Sequence, residues 1–107
     1  MAVKKLPKKV IAEVAKFKNT LQADQLPIKA VYVFGSYAKG KQRRDSDIDV
    51  CVISSDFKDY SKVWRYLWSR RPQNWDLTIE PIGFSPKDFN DQSSPLVHEI
   101  KKYGVKV

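Results

Sequence analysis

The run Val50-Cys51-Val52-Ile53, entered through Asp47-Ile48-Asp49, constrains the fold more than any other part of the chain. A strand with one face in water alternates apolar and polar residues. A run without that alternation is a strand covered on both faces. The chain supplies helices to cover it. From Leu6 to Asp24, residues Leu6, Val10, Ile11, Val14, Phe17 and Leu21 form one stripe at helical spacing. Lys8, Lys9, Glu13, Lys16 and Lys18 take the other face, Pro7 suits the first turn, and Pro27 lies just past the end. Asp59 to Arg71 repeats the spacing with Tyr60, Val63, Trp64, Leu67 and Trp68, and Pro72 stops it. Ser85-Pro86 and Ser94-Pro95 each read as an N-cap and first-turn proline, the second opening a helix from Leu96 to Tyr103 that Gly104 ends. Ile28 to Phe34 and Trp75 to Ile82 read as strands beside Asp47 to Ile53. Ser36 to Ala38 reads as a short helix, and Val105 to Val107 as an edge strand. The expected architecture is α/β (α+β), a small mixed sheet of three to four strands flanked by helices.

A chain of 107 residues makes one domain, expected to span 1–107. With 42% apolar and 30% charged residues, the composition is that of a globular protein and excludes a disordered chain. The only cysteine, Cys51, can close no internal disulfide, and with the only histidine, His98, it falls short of a zinc site. The basic start through Lys9 has no apolar stretch behind it, and no run approaches a membrane span, so a cytoplasmic protein is expected. The net charge of +8 calls for a polyanion, either nucleic acid or a phosphate-bearing ligand.

Between Val33 and Val50 three features follow one another. An apolar strand ends at Gly35-Ser36, where a backbone free of side chain and a helix start can seat phosphate oxygens. Asp47 and Asp49 then share one face of a strand, close enough to meet one hard divalent cation. Without a cation, two such carboxylates side by side would repel. The loop between carries Lys39, Lys41, Arg43 and Arg44, which reads as a solvated basic loop or as a contact for a triphosphate or an acceptor.

Gly35-Ser36, a ten-residue gap and Asp47-Ile48-Asp49 together resemble the signature of the minimal nucleotidyltransferases of the DNA polymerase beta superfamily. The resemblance covers most of the chain. It implies the nucleotidyltransferase fold, Mg²⁺ bound by Asp47 and Asp49, and the β and γ phosphates of a nucleoside triphosphate at Gly35 and Ser36. It implies transfer of a nucleoside monophosphate to an acceptor with release of pyrophosphate. Small free-standing members of this kind pair with a HEPN-domain protein as antitoxins, so such a partner is implied too. The family has a third carboxylate on a later strand. Glu80 is preferred here for its reach and for its setting in Ile79-Glu80-Pro81-Ile82-Gly83-Phe84; Asp76 is the alternative.

The other chemistry-bearing residues read as structural. Cys51 is a packed strand residue, His98 a surface or core helix residue, and Trp64 and Trp68 are spaced for packing against core or partner. Trp64, Trp68 and Trp75 also suggest base stacking. Lys8, Lys9 and Lys16 form a solvated face or one that meets an acidic partner or RNA. A partner-binding module without catalysis, or a basic nucleic-acid-binding protein, are the alternative functions.

Overall fold

The computed structural model describes residues 6–74 and 76–107. In chain order the elements are α1 (Lys8–Ala23), β1 (Ile28–Phe34), α2 (Ser36–Lys39), β2 (Ile48–Ser54), α3 (Tyr60–Ser69), β3 (Ile79–Phe84), α4 (Pro86–Phe89), α5 (Pro95–Tyr103) and β4 (Val105–Lys106). The four strands form one mixed sheet in the order β3-β2-β1-β4. β2 pairs antiparallel with β1 and parallel with β3, and β4 runs antiparallel to the other side of β1. The parallel step requires a crossover, which α3 provides.

β2 is interior and its two faces serve two cores. Ile48, Val50 and Val52 point to one that includes Val10, Val14, Phe17 and Leu21 of α1 and Val63 and Leu67 of α3. Cys51 and Ile53 point to the other, with Phe89 of α4 and Val97 and Ile100 of α5. The unbroken apolar run is thus the mark of a central strand. Truncating a fully buried residue such as Phe17 to alanine would cost about 3–5 kcal/mol.

Caps set the element boundaries. Asp59, Ser85 and Ser94 accept backbone N–H bonds from Ser61, Asp88 and Val97. Pro86 and Pro95 occupy first-turn positions. Among the described residues no helix is long and apolar enough to cross a membrane.

The structure corrects several expectations. Pro7 stands outside α1, one residue before it, and its carbonyl accepts from Val10 and Ile11 N–H. Ile11 is 43% exposed, whereas Glu13 is buried, because the stripe facing the sheet runs through Val10, Glu13, Val14, Phe17 and Leu21. Glu13 meets Lys16 at 3.6 Å. β2 starts one residue later than expected, so Asp47 lies just before the strand. The third strand is Ile79–Phe84, not 75–82. Ahead of it, Asn74 Oδ1 accepts from Asp76 N–H at 2.9 Å, and this local turn takes Asp76 out of the ladder. Trp75 lies outside the described residues.

Candidate active site

The site gathers where β1 ends, α2 begins and β2 and β3 start. Phe34, the last residue of β1, is in register with Asp49 of β2, and Asp49 is in register with Glu80 of β3. Asp49 is therefore flanked by the Gly35 turn on one side and by a second carboxylate on the other. Ile48 N–H donates to Thr78 C=O at 2.8 Å, which locks the two parallel strands together beside Asp47. A tight turn precedes Asp47: Arg43 N–H donates to Ser46 Oγ at 2.7 Å and Ser46 N–H to Arg43 C=O at 3.1 Å.

Gly35 has φ 73° and ψ −147°, a region essentially closed to residues with a side chain. The space is closed as well. A Cβ there would overlap Asp49 Oδ2 and lie 3.0 Å from Asp49 Cγ and 3.3 Å from Asp49 Cβ. The missing side chain at Gly35 is the room that Asp49 occupies. Ser36 opens α2, and Gly40, left-handed at φ 69°, closes it.

Asp47, Asp49 and Glu80 sense one another. The Asp49 carboxyl is pushed above its ordinary value by burial, then by the charge of Asp47, with a hydrogen bond to Glu80 working the other way. The Glu80 carboxyl is pushed up by its hydrogen bond to Asp47, then by burial and by the charges of Asp47 and Asp49. Asp47 and Glu80 are exposed and Asp49 half-buried, so the group lies open to solvent on one side. Asp76 is exposed and sits apart, lining a groove of about 480 Å³ with Arg44, Asp45, Ser46, Asp47 and Thr78. Asp47, Asp49 and Glu80 are brought together, with Gly35 and Ser36 adjoining; Asp76 reaches only the Asp47 side.

Such a donor set suits a hard divalent cation. All the donors are carboxylate oxygens, and their mutual repulsion is what a cation relieves. Among the described residues no three acidic, histidine or cysteine side chains close into a cage around an ion. An open pair of carboxylates is how Mg²⁺ is usually carried, with the remaining positions left to water and substrate phosphate.

Sequence reasoning missed one participant. Glu99 of α5 adds its negative charge to the field at Asp49 and takes the Lys39 ammonium in an ion pair of 2.6 Å. The two residues are sixty positions apart, and no local pattern announces the pair. Cys51 is fully buried, with its thiol pushed up to about 12 by burial. His98 is exposed and its Nε2 contacts Gln92 C=O. Trp64 is 56% exposed and stacks on Trp68 at 5.2 Å between ring centroids. Lys8, Lys9 and Lys16 are exposed.

Comparison with known proteins bears on the family and the fold. The protein named "Putative protein adenylyltransferase MJ0141" of Methanocaldococcus jannaschii is 30% identical over 101 residues, 92% of this chain and 95% of its own length. Protein adenylyltransferase MntA of Shewanella oneidensis is 42% identical over 45 residues, 41% of this chain and 32% of that protein. Among solved structures, a chain of a toxin–antitoxin crystallised with AMP-PNP superimposes with a TM-score of 0.58 at 24% identity. That match covers 86% of this chain and 69% of the other. A chain of the MntA–HepT toxin–antitoxin matches with a TM-score of 0.54 at 18% identity, covering 90% and 69%. At these identities the two structures speak for the fold, which is the expected nucleotidyltransferase fold. The nucleotidyltransferase-domain profile matches residues 14–106, nearly the whole chain, and the chain belongs to that family of enzymes.

Proposed function

We propose that this enzyme transfers AMP from ATP to a hydroxyl group of a protein or nucleic-acid acceptor and releases pyrophosphate. The observation that carries the reading is the convergence of Asp47 and Asp49 at the start of β2 with Glu80 of the adjacent β3, beside a glycine whose missing side chain makes room for Asp49. The protein adenylyltransferase names of the relatives favour AMP as the group moved and a protein as its acceptor.

In this reading Gly35 and Ser36 seat the β and γ phosphates. Asp47 and Asp49 hold Mg²⁺, which when bound withdraws charge from the phosphates and acidifies the attacking hydroxyl. The acceptor oxygen forms a bond to the α-phosphorus. The bond from that phosphorus to the bridging oxygen breaks, and its electron pair leaves with pyrophosphate. Glu80 orients the acceptor hydroxyl and takes its proton. Exposed Lys41, Arg43 and Arg44 lie in the segment between the Gly35-Ser36 turn and Asp47, and would meet phosphates of the nucleotide or of an RNA. The rest of the protein's contribution is position and charge.

The same reading makes the chain the antitoxin of a cytoplasmic pair, with a HEPN-domain protein as partner and acceptor. Its support is the toxin–antitoxin complexes among the structural matches. The test is incubation of the purified protein with Mg²⁺, ATP labelled at the α-phosphate, and the product of the neighbouring gene. Label on the partner is the expected result. Intact binding of the partner with no transfer of label would make this chain a binding module instead.

A further inference from the structure

We infer that Glu99 is a positioning residue that restrains nucleotide uptake by occupying Lys39, the cation nearest the phosphate seat along the chain. The inference rests on the nucleotidyl-transfer reading above and adds a control element to that site. Lys39 ends α2, the helix that starts at Ser36, and its N–H donates to Gly35 C=O at 3.1 Å. Its backbone is thus one helical turn from the Gly35-Ser36 seat. Its ammonium is turned toward α5, where Nζ donates to Glu99 Oε1 at 2.6 Å and lies 5.1 Å from the centre of the Tyr103 ring. The pair is partly shielded, with the side chains 29% and 35% exposed.

An incoming polyphosphate therefore meets a lysine already neutralised by a carboxylate. Lys41, Arg43 and Arg44 are exposed, and among the described residues none has an ion pair, so Lys39 is the loop cation under restraint. Glu99 stands in for a phosphate, and a real phosphate must displace it. Because Glu99 belongs to α5 and Lys39 to α2, the displacement links the nucleotide seat to the C-terminal helix.

The test is calorimetric titration of ATP with Mg²⁺ into the full chain and three variants. Glu99→Gln should bind about two- to fivefold tighter, the range of one partly exposed charge pair released. Lys39→Met should bind more weakly than wild type, and adding Glu99→Gln to it should change affinity less than about twofold, because the restraint acts through Lys39. Glu99→Asp, which keeps the carboxylate, should stay closer to wild type than Glu99→Gln. Weaker binding by Glu99→Gln would overturn the inference by showing that Glu99 presents Lys39 to the nucleotide. Equal tightening with and without Lys39 would overturn it by making Glu99 a bare repulsive charge. A wild type that takes up no ATP overturns the nucleotidyl-transfer reading, and the same variants are then compared with tripolyphosphate, where the same signs are expected and the opposite signs refute the restraint.

Discussion

Replacing Gly35 by alanine combines two separable costs. The first is backbone strain: at φ 73° and ψ −147° a residue with a Cβ is destabilised by about 1–3 kcal/mol. The second is steric. The new methyl overlaps Asp49 Oδ2 and comes within 3.0 Å of Asp49 Cγ, so rotating the carboxylate relieves only part of the clash. Overpacking of this kind adds about 1–3 kcal/mol. Gly40 is the internal control. Its φ is positive too, at 69°, in the left-handed helical region, but nothing lies within 4 Å of where its Cβ would be. Gly40→Ala should therefore cost only strain, about 1 kcal/mol, and lower Tm by roughly 4–8 °C. Gly35→Ala should cost about 3 kcal/mol, with a fall in Tm two to three times larger, and should abolish the stabilisation by Mg²⁺. Thermal melts with and without Mg²⁺ read both effects. In an Asp49→Ala background the excess cost of Gly35→Ala over Gly40→Ala should shrink to a fraction, because the atoms it strikes are gone. A Gly35→Ala protein no less stable than Gly40→Ala and still responsive to Mg²⁺ would refute the claim that Gly35 exists to make room for Asp49.

Further outcomes follow from the carboxylate cluster and from the buried thiol. Without a cation, Asp49 and Glu80 have carboxyls raised above their ordinary values of 3.8 and 4.5, so their contribution to stability is greatest in acid and declines as pH rises through the raised folded values. Asp49→Asn should therefore raise the metal-free Tm at neutral pH while removing the Mg²⁺-dependent rise, and an unchanged metal response would remove Asp49 from the ligand set. Mg²⁺ affinity of the wild type should climb across the same pH window, measured by calorimetry; a flat profile would mean that these carboxyls are not the ligands. Glu80→Gln should slow transfer more than Asp76→Asn, and the reverse order in steady-state rates would move the third carboxylate to Asp76. Cys51, fully buried with its thiol pushed up to about 12, should react with a thiol reagent only in denaturant, and rapid labelling of the native protein would contradict its place in the core.

What the sequence made legible was local. Gly35-Ser36 and Asp47-Ile48-Asp49 sit within fifteen residues, and the unbroken run after Asp49 announces a central strand because both its faces are covered. Ser-Pro pairs gave the starts of α4 and α5 because capping chemistry is confined to one turn. Misreadings arose where tertiary contacts or a side-chain bond overrode the local pattern. Ile11 and Glu13 are two residues apart on α1, and only the angle at which the helix meets the sheet decides which is buried. Asp76, Thr78 and Glu80 look like one alternating strand face, but the Asn74 turn withdraws Asp76 and the parallel register puts Glu80 opposite Asp49. The Lys39–Glu99 pair joins two helices distant in sequence, and no spacing rule reaches that far.

If the cluster at the start of β2 and β3 is a working transfer site, transfer must fail when either aspartate is neutralised. The direct measurement is the movement of α-phosphate label from ATP to the partner protein by the wild type, Asp47→Asn and Asp49→Asn, each first shown to be folded by its melting transition. The wild type should label the partner, and neither variant should do so above background. Full transfer by either aspartate variant would contradict this.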